Sequence, residues 1–251
     1  MSVLNHPQDV RLGLGTWLSI GSSVVAELVS QFPFDWLLYD LEHGSSPEST
    51  LPDQLRAGAN MNTRAIVRVP ALQPATIARV LDWGADGIML PHVSSAEQAA
   101  QCVSAMYYAP KGNRGYSTTV RAYGYGLKRP EDLDSVQPFC IAQIEDVEGV
   151  RNASEIAAVE GVHVLFVGPG DLNLALSHQR GDNIINFETA VRQVADAAKQ
   201  HGKQAGILLR NPSDLAPMKQ LGYSCIAIDS DLAILRKGYA DIISNAAQTE
   251  T

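Results

Sequence analysis

The chain has 251 residues, of which 45% are hydrophobic and 18% charged, and its formal net charge is −8. That length and apolar content suit one large domain, while the acid excess argues against nucleic acid, whose binding rests on counterion release by Lys and Arg. No apolar run reaches the roughly 18 residues of a membrane span, and the N-terminal MSVLNHPQDVR lacks the apolar core of a signal peptide. Cys102, Cys140 and Cys225 are too dispersed for a disulfide framework or a CxxC zinc site, so a reducing, cytoplasmic setting is expected.

In chain order, eight short β-rich runs alternate with helical patterns. The runs are LGLGTWL (12–18), FDWLLYD (34–40), TRAIVRV (63–69), DGIMLPH (86–92), FCIAQIE (139–145), HVLFVGP (163–169), QAGILL (204–209) and CIAIDS (225–230). Most are near-continuous apolar stretches, as in parallel strands covered on both faces. Between them, 74–84, 95–108, 186–202 and 211–222 space their apolar residues as helices do, and several close on Gly before the next strand. This alternation predicts an α/β architecture, and the count of units predicts a (β/α)8 TIM barrel formed by a single domain over 1–251. A doubly wound open sheet is the alternative, but no GxGxxG turn follows the first run. The irregular stretch 109–126 is too long for a simple connection and reads as a functional or interfacial loop.

In such a barrel the site lies where the strands end. The second run passes from WLLY directly into Asp40, Glu42 and His43. Burying ionised groups costs several kcal/mol unless they are paired or bind a metal, so this end is either a polar rim or a site. Gln143 and Glu145 are two apart and share a face of their strand. Asp171 follows one strand over, after Gly168-Pro169-Gly170. Two carboxylates with open positions beside them suit Mg2+ or Mn2+, although a rim hydrogen-bond network uses the same residue types. Arg68, within VRVP, needs an anion: Asp40 or Glu145 in a buried ion pair, or a substrate carboxylate or enolate oxygen. His43 is either a structural histidine or a general base. None of the six lysines falls on an expected strand, and neither a GxSxG elbow nor a P-loop is present. Metal-assisted chemistry on an oxygen-rich anion remains.

Together with LDWGADGIMLP, APKGNRG, AQIEDVEGV, AAVEGVHVLFVGPGDL, HGKQAGIL and CIAIDSDLAIL, these stretches resemble, in order and over nearly the whole chain, the HpcH/HpaI aldolases, which are metal-dependent class II pyruvate aldolases. The resemblance implies a (β/α)8 barrel whose last helix packs on a neighbouring subunit of a homo-oligomer, a trimer or hexamer. It implies reversible cleavage of a 4-hydroxy-2-oxo acid to pyruvate and an aldehyde with Mg2+ or Mn2+, Co2+ being a further option. By position it makes Glu145 and Asp171 metal ligands. It gives the pyruvate carboxylate to Gln143 and the Gly170–Asp171 backbone, the enolate to Arg68 and acid/base work to His43. Asp82 takes the place of a carboxylate that supports this histidine, and Trp17 and Leu208 line the aldehyde side. Asp82 ends a helix that runs back from the mouth, so it is expected to serve a neighbouring subunit. Leu41 stands where relatives carry Gly, Gly170 replaces Ala or Ser, and His92 replaces a hydrophobic residue; all three bear on aldehyde specificity. Two other readings are a CoA-thioester lyase, for which Arg114, Arg121 and Lys128 are the only basic loop, and a non-catalytic barrel that binds a metal–oxoacid.

Overall fold

A computed structural model describes residues 11–45, 47–59, 63–128, 130, 133–180 and 184–248. Its eight strands are β1 (Leu14–Leu18), β2 (Trp36–Asp40), β3 (Arg64–Arg68), β4 (Gly87–Leu90), β5 (Phe139–Ile144), β6 (Val164–Val167), β7 (Gln204–Leu209) and β8 (Tyr223–Ser230). They pair in sequential order, all parallel, and β8 closes onto β1. Seven of the expected runs contain one of them, and β8 starts at Tyr223, two residues ahead of its run at 225–230.

Two apolar layers explain why the strands read as continuous hydrophobic runs. One face of each strand packs outward under the helices through residues such as Leu37, Tyr39, Val67, Ile88, Ala142, Ile144 and Leu165. The other face fills the barrel with Trp17, Trp36, Leu38, Ile66, Met89, Ile141 and Phe166. The Trp36 and Phe166 rings meet edge-on with centroids 6.0 Å apart, and Trp17 lies 5.6 Å from Phe166. These rings make a closed floor beneath the mouth. Because side chains alternate along a strand, the next inward positions above Leu38, Ile66 and Ile141 are Asp40, Arg68 and Gln143, with Glu145 beyond. A polar layer therefore rests directly on an aromatic one.

The helices carry the chain back from the mouth. Pro74–Asp82, Ala96–Met106 and Phe187–Gln200 match expectation. Ser95 and Gln98 form a capping box on the second, and Asn186 caps the third. The helix expected over 211–222 is instead a 3-10 turn, Pro212–Asp214, followed by Leu215–Gln220. Pro217 has no N–H for a longer continuous helix and is tolerated because it falls in the first turn of the shorter one. The GPG segment, expected as a turn, is the start of helix Pro169–Ser177 with Pro169 at its first position, which places Asp171 in the first helical turn.

The long loop is irregular apart from the 3-10 stretch Arg121–Gly126, as its length suggested. All three cysteines are buried and free. No described helix is long and apolar enough to cross a membrane.

Candidate active site

The polar end of β2 is satisfied by its neighbour in register. Asp40 and Arg68 are direct partners across β2 and β3. Arg68 Nε donates to Asp40 Oδ1 at 2.9 Å and Nη2 donates to Oδ2 at 2.7 Å, a buried two-bond pair. Asp40 Oδ1 also accepts the backbone N–H groups of Glu42 (3.1 Å) and His43 (3.3 Å). The chain folds back sharply here, and a Cβ on Gly44 would lie 2.1 Å from the Asp40 carbonyl oxygen, so only glycine fits. The return sends Glu42 inward, with Oε2 2.8 Å from Arg68 Nη1, while the His43 side chain stays 65% exposed at the mouth.

Arg68 thus faces two carboxylates, Asp40 and Glu42, and its guanidinium carbon lies 5.5 Å from the Trp17 ring centroid. Burial opposes its charge, but the bond and charge of Asp40, with Glu42 and Glu145 behind, outweigh burial and raise its pKa. Of the two partners expected, Asp40 is bonded and Glu145 acts only at longer range. A guanidinium carries more N–H groups than these bonds use, and Arg68 still lines the cavity above it.

Glu145 is buried beside this pair. Oε1 accepts the His92 backbone N–H at 2.7 Å and lies 3.1 Å from His92 Nδ1, while Oε2 accepts Gln143 Nε2 at 2.7 Å. A Cβ on Gly168 would meet Oε2 at 2.4 Å, so glycine is what lets β6 approach this carboxylate. Burial raises the Glu145 pKa; the His92 N–H and charge oppose that shift, and the charges of Glu42 and Asp171 add to it. Gln143 Oε1 is buried with no hydrogen-bond partner among the described residues. Its amide nitrogen gives one N–H to Glu145 and keeps a second, so the donor expected to meet a carboxylate is not used up.

A cavity of ≈ 530 Å3 opens above this layer, and Trp17, His43, Arg68, Gln143, Gly170, Asp171 and Leu208 all line it. Glu145 does not line it but is bonded to Gln143, which does. Asp82 is elsewhere: it accepts Arg114 Nη2 at 2.6 Å, and that guanidinium stacks 4.8 Å from the Tyr108 ring centroid. Within one chain Asp82 does not support His43, because its helix ends at the opposite face of the barrel. Arg121 donates to the carbonyls of Trp83 and Leu55. Two of the three cations that a CoA channel would draw on are therefore engaged within the fold. A second cavity, ≈ 520 Å3, opens where the strands begin; it is lined by Arg11, Lys111, Glu160, His163 and Lys203 and lacks the carboxylate cluster of the mouth. Burial pushes the His163 pKa down to about 4, which leaves that ring neutral near pH 7.

Three features of the mouth went unread in the sequence. Glu42 holds both Arg68 and His92. Arg210 lines the cavity two residues beyond Leu208, on the same face, so the strand period would have found it. Its guanidinium is 3.5 Å from Asp229, whose other oxygen Lys237 takes at 2.5 Å. His92 bridges Glu42 and Glu145, and nothing in its sequence context signals that.

Residues 13–237 match the family described as HpcH/HpaI aldolase/citrate lyase. The chain is 35% identical over 244 residues to a hydroxypyruvate/pyruvate aldolase of Paraburkholderia phytofirmans, covering 92% of this chain and 94% of that protein. It is 36% identical over 224 residues to a 5-keto-4-deoxy-D-glucarate aldolase of Klebsiella pneumoniae, covering 89% and 88%. The crystal structure of an HpcH/HpaI aldolase/citrate lyase family protein from Burkholderia cenocepacia superposes with a TM-score of 0.86 at 33% identity, covering 94% of this chain and 95% of that one. The sequence match, the shared barrel and the convergent mouth agree: this chain belongs to the HpcH/HpaI aldolase/citrate lyase family.

Proposed function

We propose that the protein is a divalent-metal-dependent class II aldolase that reversibly cleaves a 4-hydroxy-2-oxo acid to pyruvate and an aldehyde. The observation that carries this reading is the surplus of buried negative charge beside an unpartnered oxygen. Burial makes the ionised Glu145 costly, the charges of Glu42 and Asp171 add to that cost, and Gln143 Oε1 has no hydrogen-bond partner among the described residues. Glu145 and Asp171 would supply carboxylate oxygens with open positions beside them, which fits Mg2+ or Mn2+, with Co2+ a further candidate, and Gln143 would hold the pyruvate carboxylate. Bound there, the ion supplies Lewis acidity toward the 2-oxo acid. The aldolase names of both relatives support the same chemistry.

The chain's own groups divide the remaining work. Arg68, held rigidly by Asp40, presents fixed positive charge where the pyruvate enolate develops negative charge. The N–H groups of Gly170 and Asp171, in the first turn of their helix, receive the pyruvate carboxylate. A Cβ at Gly170 would meet nothing within 4 Å, so the approach to that backbone is open. His43, exposed at the mouth, takes the hydroxyl proton in cleavage and returns it in condensation. Trp17 and Leu208 line the aldehyde side. No lysine lines the cavity among the described residues, which favours this route over an imine.

A homo-oligomer completes the picture. The last helix, Asp231–Gln248, leaves Leu232, Ile234, Leu235, Tyr239, Ile242 and Ile243 exposed, a face suited to a neighbouring copy of the chain. Asp82, remote from its own mouth, then supports His43 of the adjacent subunit.

Chelation should abolish pyruvate–aldehyde condensation, and Mg2+, Mn2+ or Co2+ should restore it. Borohydride with pyruvate should leave the enzyme active, and a trapped pyruvyl-lysine would contradict the reading. Arg68→Lys should lower kcat by about 10²-fold, the usual scale for one electrostatic stabiliser, because Lys cannot span Asp40 and a ligand together. Full activity in that variant would remove Arg68 from its role. Subunit exchange between His43→Ala and Asp82→Ala chains should raise activity above either parent; verified exchange without recovery would confine Asp82 to its own subunit.

A further inference from the structure

A continuous line of side chains crosses the mouth. It runs from Asp40 to Arg68, from Arg68 Nη1 to Glu42 Oε2 at 2.8 Å, and from Glu42 Oε1 to His92 Nε2 at 3.2 Å. From His92 Nδ1 it continues to Glu145 Oε1 at 3.1 Å, and from Glu145 Oε2 to Gln143 Nε2 at 2.7 Å. His92 is the link that joins the guanidinium half of this line to the carboxylate half. Its backbone adopts φ 53°, a left-handed conformation disfavoured for a residue with a side chain. The same geometry turns the His92 N–H onto Glu145 Oε1 at 2.7 Å.

The two oxygens of Glu145 have different surroundings. Oε2 faces Gly168, on the side from which the chain continues to Asp171. Oε1 points away and is held by both the backbone and the ring of His92. A carboxylate that binds a metal through one oxygen is oriented by what holds the other, and such supporting contacts commonly govern affinity. The His92 side chain is 58% exposed and yet touches two carboxylates that are 9% and 1% exposed, so it closes their outer side.

We propose that His92 is a positioning residue: its ring fixes the metal-ligand carboxylate of Glu145 from behind and ties it, through Glu42, to Arg68. The proposal rests on the reading of Glu145 as a metal ligand. A hydrophobic side chain at this position would leave Glu145 Oε1 with the backbone donor alone and remove the Glu42 link.

The test is Mn2+ affinity of the full-length protein, followed by the electron paramagnetic resonance signal of free Mn2+. It compares wild type, His92→Gly, His92→Asn and Glu145→Ala. Gly accepts the left-handed backbone without strain, and Asn tolerates it while offering an amide donor, so both variants retain the local fold. His92→Gly should bind Mn2+ about 10- to 100-fold more weakly than wild type, the range found for supporting contacts of metal ligands. His92→Asn should recover most of that loss. Affinity in His92→Gly within about twofold of wild type would overturn the proposal. Wild type binding no more tightly than Glu145→Ala would bring down the metal reading itself, and this inference with it.

Discussion

The buried pair between Asp40 and Arg68 is the constraint on which the mouth depends. Both groups sit above a closed aromatic floor, where an unpaired charge is costly, and removing one partner of such a pair costs about 3–5 kcal/mol. Asp40 holds more than Arg68. By accepting the N–H groups of Glu42 and His43 it also fixes the path of the chain past β2. One carboxylate therefore orients the guanidinium, aims Glu42 inward and leaves His43 facing outward. Each of the roles proposed for these residues follows from that single placement.

The pair does not balance the site. Asp40, Glu42, Glu145 and Asp171 all lie at the mouth end of the barrel, and among the described residues Arg68 is the guanidinium paired with Asp40 and Glu42. A structural rim would neutralise such a group with further cations or expose it to water. Here Glu145 is almost wholly buried, and the buried Oε1 of neighbouring Gln143 has no hydrogen-bond partner among the described residues. An arrangement that is costly when empty and oxygen-lined is what a site for a hard cation requires, and it argues against a passive network.

The fold was legible because parallel strands buried on both faces read as near-continuous apolar runs, and most of the eight did. The location of the site followed from the strand ends, and the shared face of Gln143 and Glu145 followed from the two-residue period. Partner choice was less accessible. Whether Arg68 bonds Asp40 or Glu145 depends on the β2–β3 register, which sets Asp40 directly opposite Arg68 and is not written in either run alone. The bond that Gln143 gives Glu145 agrees with the shared face that their two-residue spacing predicts. His92 depends on a left-handed backbone that no glycine or asparagine announced. Asp82 is paired with Arg114, 32 residues away, a contact that no local pattern announces. The helix expected over 211–222 failed for a local reason, since Pro217 stops a continuous ladder.

The central claim is that this mouth stabilises the enolate of pyruvate, and it can be tested without knowing the aldehyde. Pyruvate incubated in D2O with the protein and Mg2+ would be followed by proton NMR of its methyl group. Exchange of the methyl protons for deuterium in the wild type, and its loss both in Arg68→Ala and after chelation, is the result this account predicts. Absence of exchange in the metal-loaded wild type, or equal exchange in Arg68→Ala, would contradict it.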